Sequence, residues 1–103
     1  MNILFVKNTI EAENMNSSLV APELDGDQYS TIKTDVNTGH VLQPNGELYI
    51  GSGEAFKIFN SLAETQDYIE KELNENDNLE FVIYDRSGTR IMLINKYERK
   101  RIG

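Results

Sequence analysis

The sequence predicts an α+β domain in two layers: an antiparallel sheet of about five or six strands with one main helix, residues 61–74, packed on one face. Three observations carry this. Short segments rich in β-branched and aromatic residues alternate with Gly, Asn and Asp turn signals along most of the chain. One stretch combines a helix-capping pattern with an apolar stripe at helical spacing. Two apolar segments, 79–85 and 89–95, are separated by Arg86, Ser87 and Gly88, the pattern of a β-hairpin.

In chain order, residues 1–7 read as a strand. Ile3 and Phe5 alternate with Leu4 and Val6, so both faces are apolar, and such strands are usually central. Residues 8–27 contain Asn14, Asn16, Ser17, Ser18, Pro22 and the Asp25-Gly26-Asp27 turn signal, and are expected to be mostly loop. A structureless loop of about 20 residues is uncommon in a compact domain, so this segment is expected to be functional, partly helical or mobile. Residues 28–34 (QYSTIKT) alternate and form a strand. Asn45-Gly46 predicts a two-residue type I′ turn, whose central positions need positive φ, followed by a strand over 47–50. Gly51-Ser52-Gly53 turns again, and 55–59 is a short strand.

The helix begins at Ser61, with Glu64 three residues on, the reciprocal capping box. Leu62, Ile69 and Leu73, with Thr65 and Gln66 completing the stripe weakly, point to the sheet; Asp67 and Lys71 stand four apart as a favourable pair; and Asn74 to Asn78 end the helix. In the hairpin that follows, Leu79, Phe81 and Ile83 share one face. Val82 and Tyr84 take the other, and Met92 and Ile94 are read as joining them. One helix covers one face, so Val82, Tyr84, Met92 and Ile94 are expected to meet residues 8–27, a second copy of the chain or a partner. Residues 96–103 are basic around Tyr97 and either extend the last strand or form a tail.

A chain of 103 residues with 39% hydrophobic and 26% charged residues suits one globular domain, residues 1–103, with a modest core. There is no cysteine, hence no disulfide framework and no zinc–thiolate site. The apolar runs reach only four residues, far below the roughly 20 of a membrane helix. Residues 1–7 lack the basic start of a signal peptide, and a cytoplasmic protein is expected. The net charge of −7 is uneven: residues 1–85 hold 16 acids and 4 bases, whereas 86–103 hold 6 bases and 1 acid. Such a body repels nucleic acid and attracts a basic protein surface.

Motifs for chemistry are weak. His40 is the only histidine and sits in a Gly/Asn-rich loop, where a solvated role is the ordinary one. Gly51-Ser52-Gly53-Glu54-Ala55-Phe56 lacks the third glycine and the following helix of a dinucleotide fingerprint. Asp35 opens like a calcium loop, but His40 stands where that loop needs Gly, and Gly46 where it needs Glu. No catalytic residue, metal or cofactor is therefore expected. The candidate binding surface is a helix flank, Glu64, Tyr68, Glu72 and Glu75, combining acidic steering charge with an aromatic anchor. The competing expectation is that Tyr68 packs against the sheet margin while the acids stay solvated. The function expected first is a small acidic protein-binding domain of inhibitor or immunity type, opposing a basic toxin or nuclease. A homodimeric assembly subunit comes second, and a small enzyme using His40 with Asp or Glu last.

Overall fold

A computed structural model describes residues 19–101. The strand expected over 1–7 lies outside the described residues, as does the first part of the 8–27 segment. The described remainder, 19–27, holds no helix or strand and turns at Gly26, where Gln28 N donates to Asp25 O at 3.1 Å.

The described elements are strands β1 (Tyr29–Asp35), β2 (Val41–Leu42) and β3 (Phe56–Phe59), helix α1 (Leu62–Glu75), and strands β4 (Leu79–Tyr84), β5 (Arg90–Asn95) and β6 (Arg99–Arg101). The six strands form one antiparallel sheet in the order β2-β1-β4-β5-β6, with β3 also pairing β1. The two halves of β1 serve different partners along one edge: Tyr29 to Ile32 face β3, and Lys33 and Thr34 face β2. Its other edge meets β4 from Ser30 to Asp35. Because β3 and β4 both run antiparallel to β1, they are parallel to each other, and α1 crosses over β1 between them as a split β-α-β unit. The α+β architecture predicted from the sequence is the one observed.

Alternation divides the sheet into two faces. On the first, Leu79, Phe81, Ile83 and Ile94 pack against Ile69 of α1, with Tyr29, Leu62, Tyr68 and Leu73 around them. Thr65 is fully buried beneath the first turns of α1 and donates its hydroxyl back to Ser61 O at 2.7 Å. On the second face Ile32, Val41 and Ala55 form a smaller cluster with Leu19, Tyr49, Phe56 and Tyr84.

The start of α1 is capped as its sequence requires on one side only. Ser61 Oγ accepts from Glu64 N at 3.1 Å, but Glu64 Oε1 accepts from Asn60 N at 3.3 Å, one residue short of the reciprocal bond. Asp67 and Lys71 do not pair; the described ion pairs are Lys33–Glu72, Lys96–Asp77 and Arg99–Glu70.

The two tight turns share one design. Gly46 N donates to Gln43 O at 2.8 Å, Gln43 N donates to Glu47 O at 2.7 Å, and Gly46 has φ 95°. Gly88 N likewise donates to Asp85 O at 3.0 Å, Asp85 N donates to Thr89 O at 2.9 Å, and Gly88 has φ 83°. Each is a three-residue loop ending in a left-handed glycine. Pro44 is the reason that Asn45-Gly46 is not a two-residue turn: its fixed φ suits the first corner of a turn starting at Gln43. The strand expected over 47–50 is reduced to one bridge, Leu48 with Leu42.

The second correction concerns the hairpin faces. Phe81 stands opposite Ile94, Val82 opposite Leu93 and Ile83 opposite Met92, while Tyr84 faces Arg90. Ile91 is therefore an extra residue, a β-bulge. Without it, the Tyr84–Arg90 pairing would carry on to Val82–Met92 and place Met92 and Ile94 on the face of Val82. One inserted residue reverses the parity of β5, so Met92 and Ile94 lie on the helix face and Leu93 takes their place on the second. The basic segment is no trailing tail over its described part. Asn95 Oδ1 accepts from Tyr97 N at 2.8 Å and from Glu98 N at 2.9 Å, turning the chain back so that Arg99–Arg101 pair with β5.

Candidate protein-interaction surface

The flank Glu64, Tyr68, Glu72 and Glu75 lies where α1 meets the β1–β3 side of the sheet. Tyr68 turns inward. Its ring lies 4.9 Å from that of Phe59 and 5.8 Å, nearly perpendicular, from that of Phe81, centroid to centroid. Lys57 Nζ stands 5.6 Å from the Tyr68 ring centroid and 5.7 Å from that of Phe59, so an ammonium closes the aromatic pair from the solvent side. Burial of the phenol, and secondly the charge of Glu72, push the Tyr68 hydroxyl up to about 12.

Glu72 is committed as well. Its carboxylate takes Lys33 Nζ at 2.7 Å, and Lys33 also donates to Pro44 O at 3.0 Å. Lys33 is buried within β1, on the face beneath α1. Its ammonium thus ties the helix, the central strand and the β2 turn together, and Glu72 compensates a charge that has left water. Glu64 serves as part of the helix cap. Of the four flank residues, Glu75 alone is exposed without a described partner. The structure brings Tyr68 and Glu72 together, but inside the fold.

The acidic surface left to solvent lies further round α1. Glu64, Asp67 and Glu75 are exposed and form no ion pair among the described residues, with Lys71 between the last two. On the β5–β6 side, Glu70 pairs with Arg99, and Asp77 Oδ2 takes Lys96 Nζ at 2.6 Å. Between them runs an open groove of about 500 Å³, bordered by Leu73, Asn74, Asp77 and Tyr97. Tyr97 stands 86% exposed beside it. Asp67 and Tyr97 were both absent from the surface expected from sequence. The residue pattern pairs Asp67 with Lys71 and leaves Tyr97 in a segment that either extends the last strand or forms a tail, because neither the helix azimuth nor the turn at Asn95 shows in it.

Val82 and Tyr84 do share the second face, with Ile32, Val41 and Leu93, whereas Met92 and Ile94 do not. His40 is exposed in the loop between β1 and β2, where its backbone carbonyl accepts from Asp35 N and its N–H donates to Thr38 Oγ1. Among the described residues no three His, Asp or Glu side chains gather as a metal site. No described helix is long and apolar enough to cross a membrane.

No protein-family model, no curated protein and no solved structure matches this chain.

Proposed function

We propose that this is a protein-binding domain that engages a basic protein surface through the outer side of α1, acting by occlusion and not by catalysis. An inhibitor or immunity-type role, covering the basic surface of a toxin or nuclease, is the specific form of this reading. The observation that carries it is the set of exposed acids on one helix, Glu64, Asp67 and Glu75, that have no ion-pair partner among the described residues, in a protein of net charge −7. Such charges steer encounter with a cationic partner and raise association rates. Tyr97, exposed beside the adjoining groove, supplies the aromatic anchor that interface centres favour.

The test is capture of binding proteins from lysate at low and at high salt, with wild type and with the E64K/D67K/E75K variant as baits. Glu72 is left in place, because it holds Lys33. A basic protein retained by wild type, released by salt and lost from the variant supports the proposal. Retention that ignores the three reversals rejects this surface. Recovery of the bait alone under both conditions rejects the basic-partner reading.

A further inference from the structure

The loop from Gln43 to Glu47 carries chemistry that the acidic helix surface does not use. Asn45-Gly46 is the one Asn-Gly pair in the chain. An asparagine amide is open to attack by the peptide nitrogen of the next residue, and glycine is the least hindered nucleophile there because it has no Cβ. Asn45, Gly46 and Glu47 are exposed, so water and hydroxide reach them. Asn45 Oδ1 accepts from Glu47 N at 2.9 Å, which turns the side chain forward along the chain, to the side of the Gly46 peptide. The opposing restraint falls on the nucleophile: Gly46 N donates to Gln43 O at 2.8 Å. That hydrogen bond has to open before the nitrogen can lose its proton and attack. The same loop holds a buried charge in place. Pro44 O accepts from Lys33 Nζ at 3.0 Å, and Lys33 is only 6% exposed.

We propose that Asn45 is a site of spontaneous deamidation in the folded protein, and that its isoaspartyl product releases the loop from Lys33. In the first step Gly46 N gives its proton to hydroxide and bonds to Asn45 Cγ. The Cγ–Nδ2 bond breaks, and Nδ2 takes a proton from water and leaves as ammonia. The product is a five-membered succinimide in which Gly46 N is bonded to both Cγ and the main-chain carbonyl carbon of residue 45. Water then adds to one of the two ring carbonyls. Addition at Cγ breaks the Cγ–N bond and gives aspartate on an unchanged backbone. Addition at the main-chain carbon breaks the other bond and gives isoaspartate, whose backbone runs through Cγ. No oxidant or reductant takes part. Isoaspartate lengthens the main chain of the loop by one methylene carbon. A loop closed by Gln43 N on Glu47 O at 2.7 Å and by Gly46 N on Gln43 O does not keep both bonds with an extra atom between them, so Pro44 O moves away from Lys33.

The experiment holds the full chain in mildly alkaline buffer, folded and in urea, and follows every asparagine by peptide mass spectrometry that separates aspartate from isoaspartate. Asn45 is expected to convert first in both states, about tenfold more slowly when folded, the effect on a rate of one hydrogen bond that must open. Asn45→Gln, whose longer side chain has to close a larger ring, stays unconverted. The isoaspartyl fraction, isolated by ion exchange, unfolds at lower urea than unconverted protein, whereas Asn45→Asp, with the new carboxylate on a backbone of normal length, unfolds close to wild type. Conversion of another asparagine ahead of Asn45 in the folded protein, equal rates in the two states, or no conversion of folded Asn45 overturns the site. An isoaspartyl fraction as stable as Asn45→Asp overturns the release of the loop.

Discussion

Lys33 shows how one side chain constrains the rest. An ammonium placed beneath a helix needs compensation, and Glu72 at 2.7 Å supplies it. Removing one partner leaves the other charge buried or half-buried without its match. We expect Glu72→Leu to cost about 2 kcal/mol in urea unfolding, below the 3–5 of a fully buried pair because Glu72 is itself partly exposed. The double variant K33M/E72L should recover most of that loss, since two apolar side chains replace the pair; a double variant no more stable than the single one would contradict this account. Tyr68 gives a prediction of opposite pH range. Its folded pKa of about 12 exceeds the ordinary 10.0, so the folded state holds its phenolic proton more tightly. Stability from this residue is whole below pH 10 and is lost as pH rises through about 12. Thermal unfolding of wild type should therefore fall faster than that of Tyr68→Phe across this window, and parallel curves would refute it.

At the scale of elements, α1 depends on its first turn and the β4–β5 hairpin on its loop. Ser61 satisfies one of the free amides of the helix, so Ser61→Ala should lower stability by about 1 kcal/mol, measured by chemical denaturation. Asp85 organises the hairpin loop: one carboxylate oxygen accepts from Ser87 Oγ at 2.6 Å, Ser87 N at 2.9 Å and Thr89 N at 3.1 Å. The Ser87 hydroxyl first, then the Thr89 amide, hold the Asp85 carboxyl below the usual carboxylate range. A lowered folded pKa contributes stability at neutral pH that is lost as pH falls through the folded value. Asp85→Asn should flatten the acid limb of the stability profile, and an unchanged limb would show that the loop does not depend on the charge. The bulge at Ile91 also belongs to this scale, because a single inserted residue decides which half of β5 meets the helix.

Over the whole molecule, charge is the dominant property. With a net charge of −7 and exposed acids outnumbering their pairs, self-repulsion opposes folding at low ionic strength. Screening at about 0.15 M salt, where charges interact over about 8 Å, should raise the melting temperature relative to salt-free buffer. A fall would mean that the ion pairs outweigh the repulsion. The same salt is expected to weaken capture of a basic partner, so stability and binding should respond in opposite directions. The two faces of the sheet differ: the first is closed by α1, and Leu19 packs on the second.

The sequence by itself determined the class of fold, the helix and the hairpin. Each depends on residues near one another in the chain: Ser61 with Glu64, Ile69 with Leu73, Gly88 at a positive φ. It also showed that two apolar hairpin faces exceed what one helix can cover. Only the tertiary structure decided which residues those faces carry, because the parity of β5 turns on a bulge with no mark in the alternation of Ile91, Met92, Leu93 and Ile94. Only it showed that Tyr68 and Glu72 are spent inside the fold, since Lys33 is 39 residues away in sequence from the carboxylate it meets. Local spacing fixes where a side chain sits on its own helix; what lies opposite is set by the packing of distant segments.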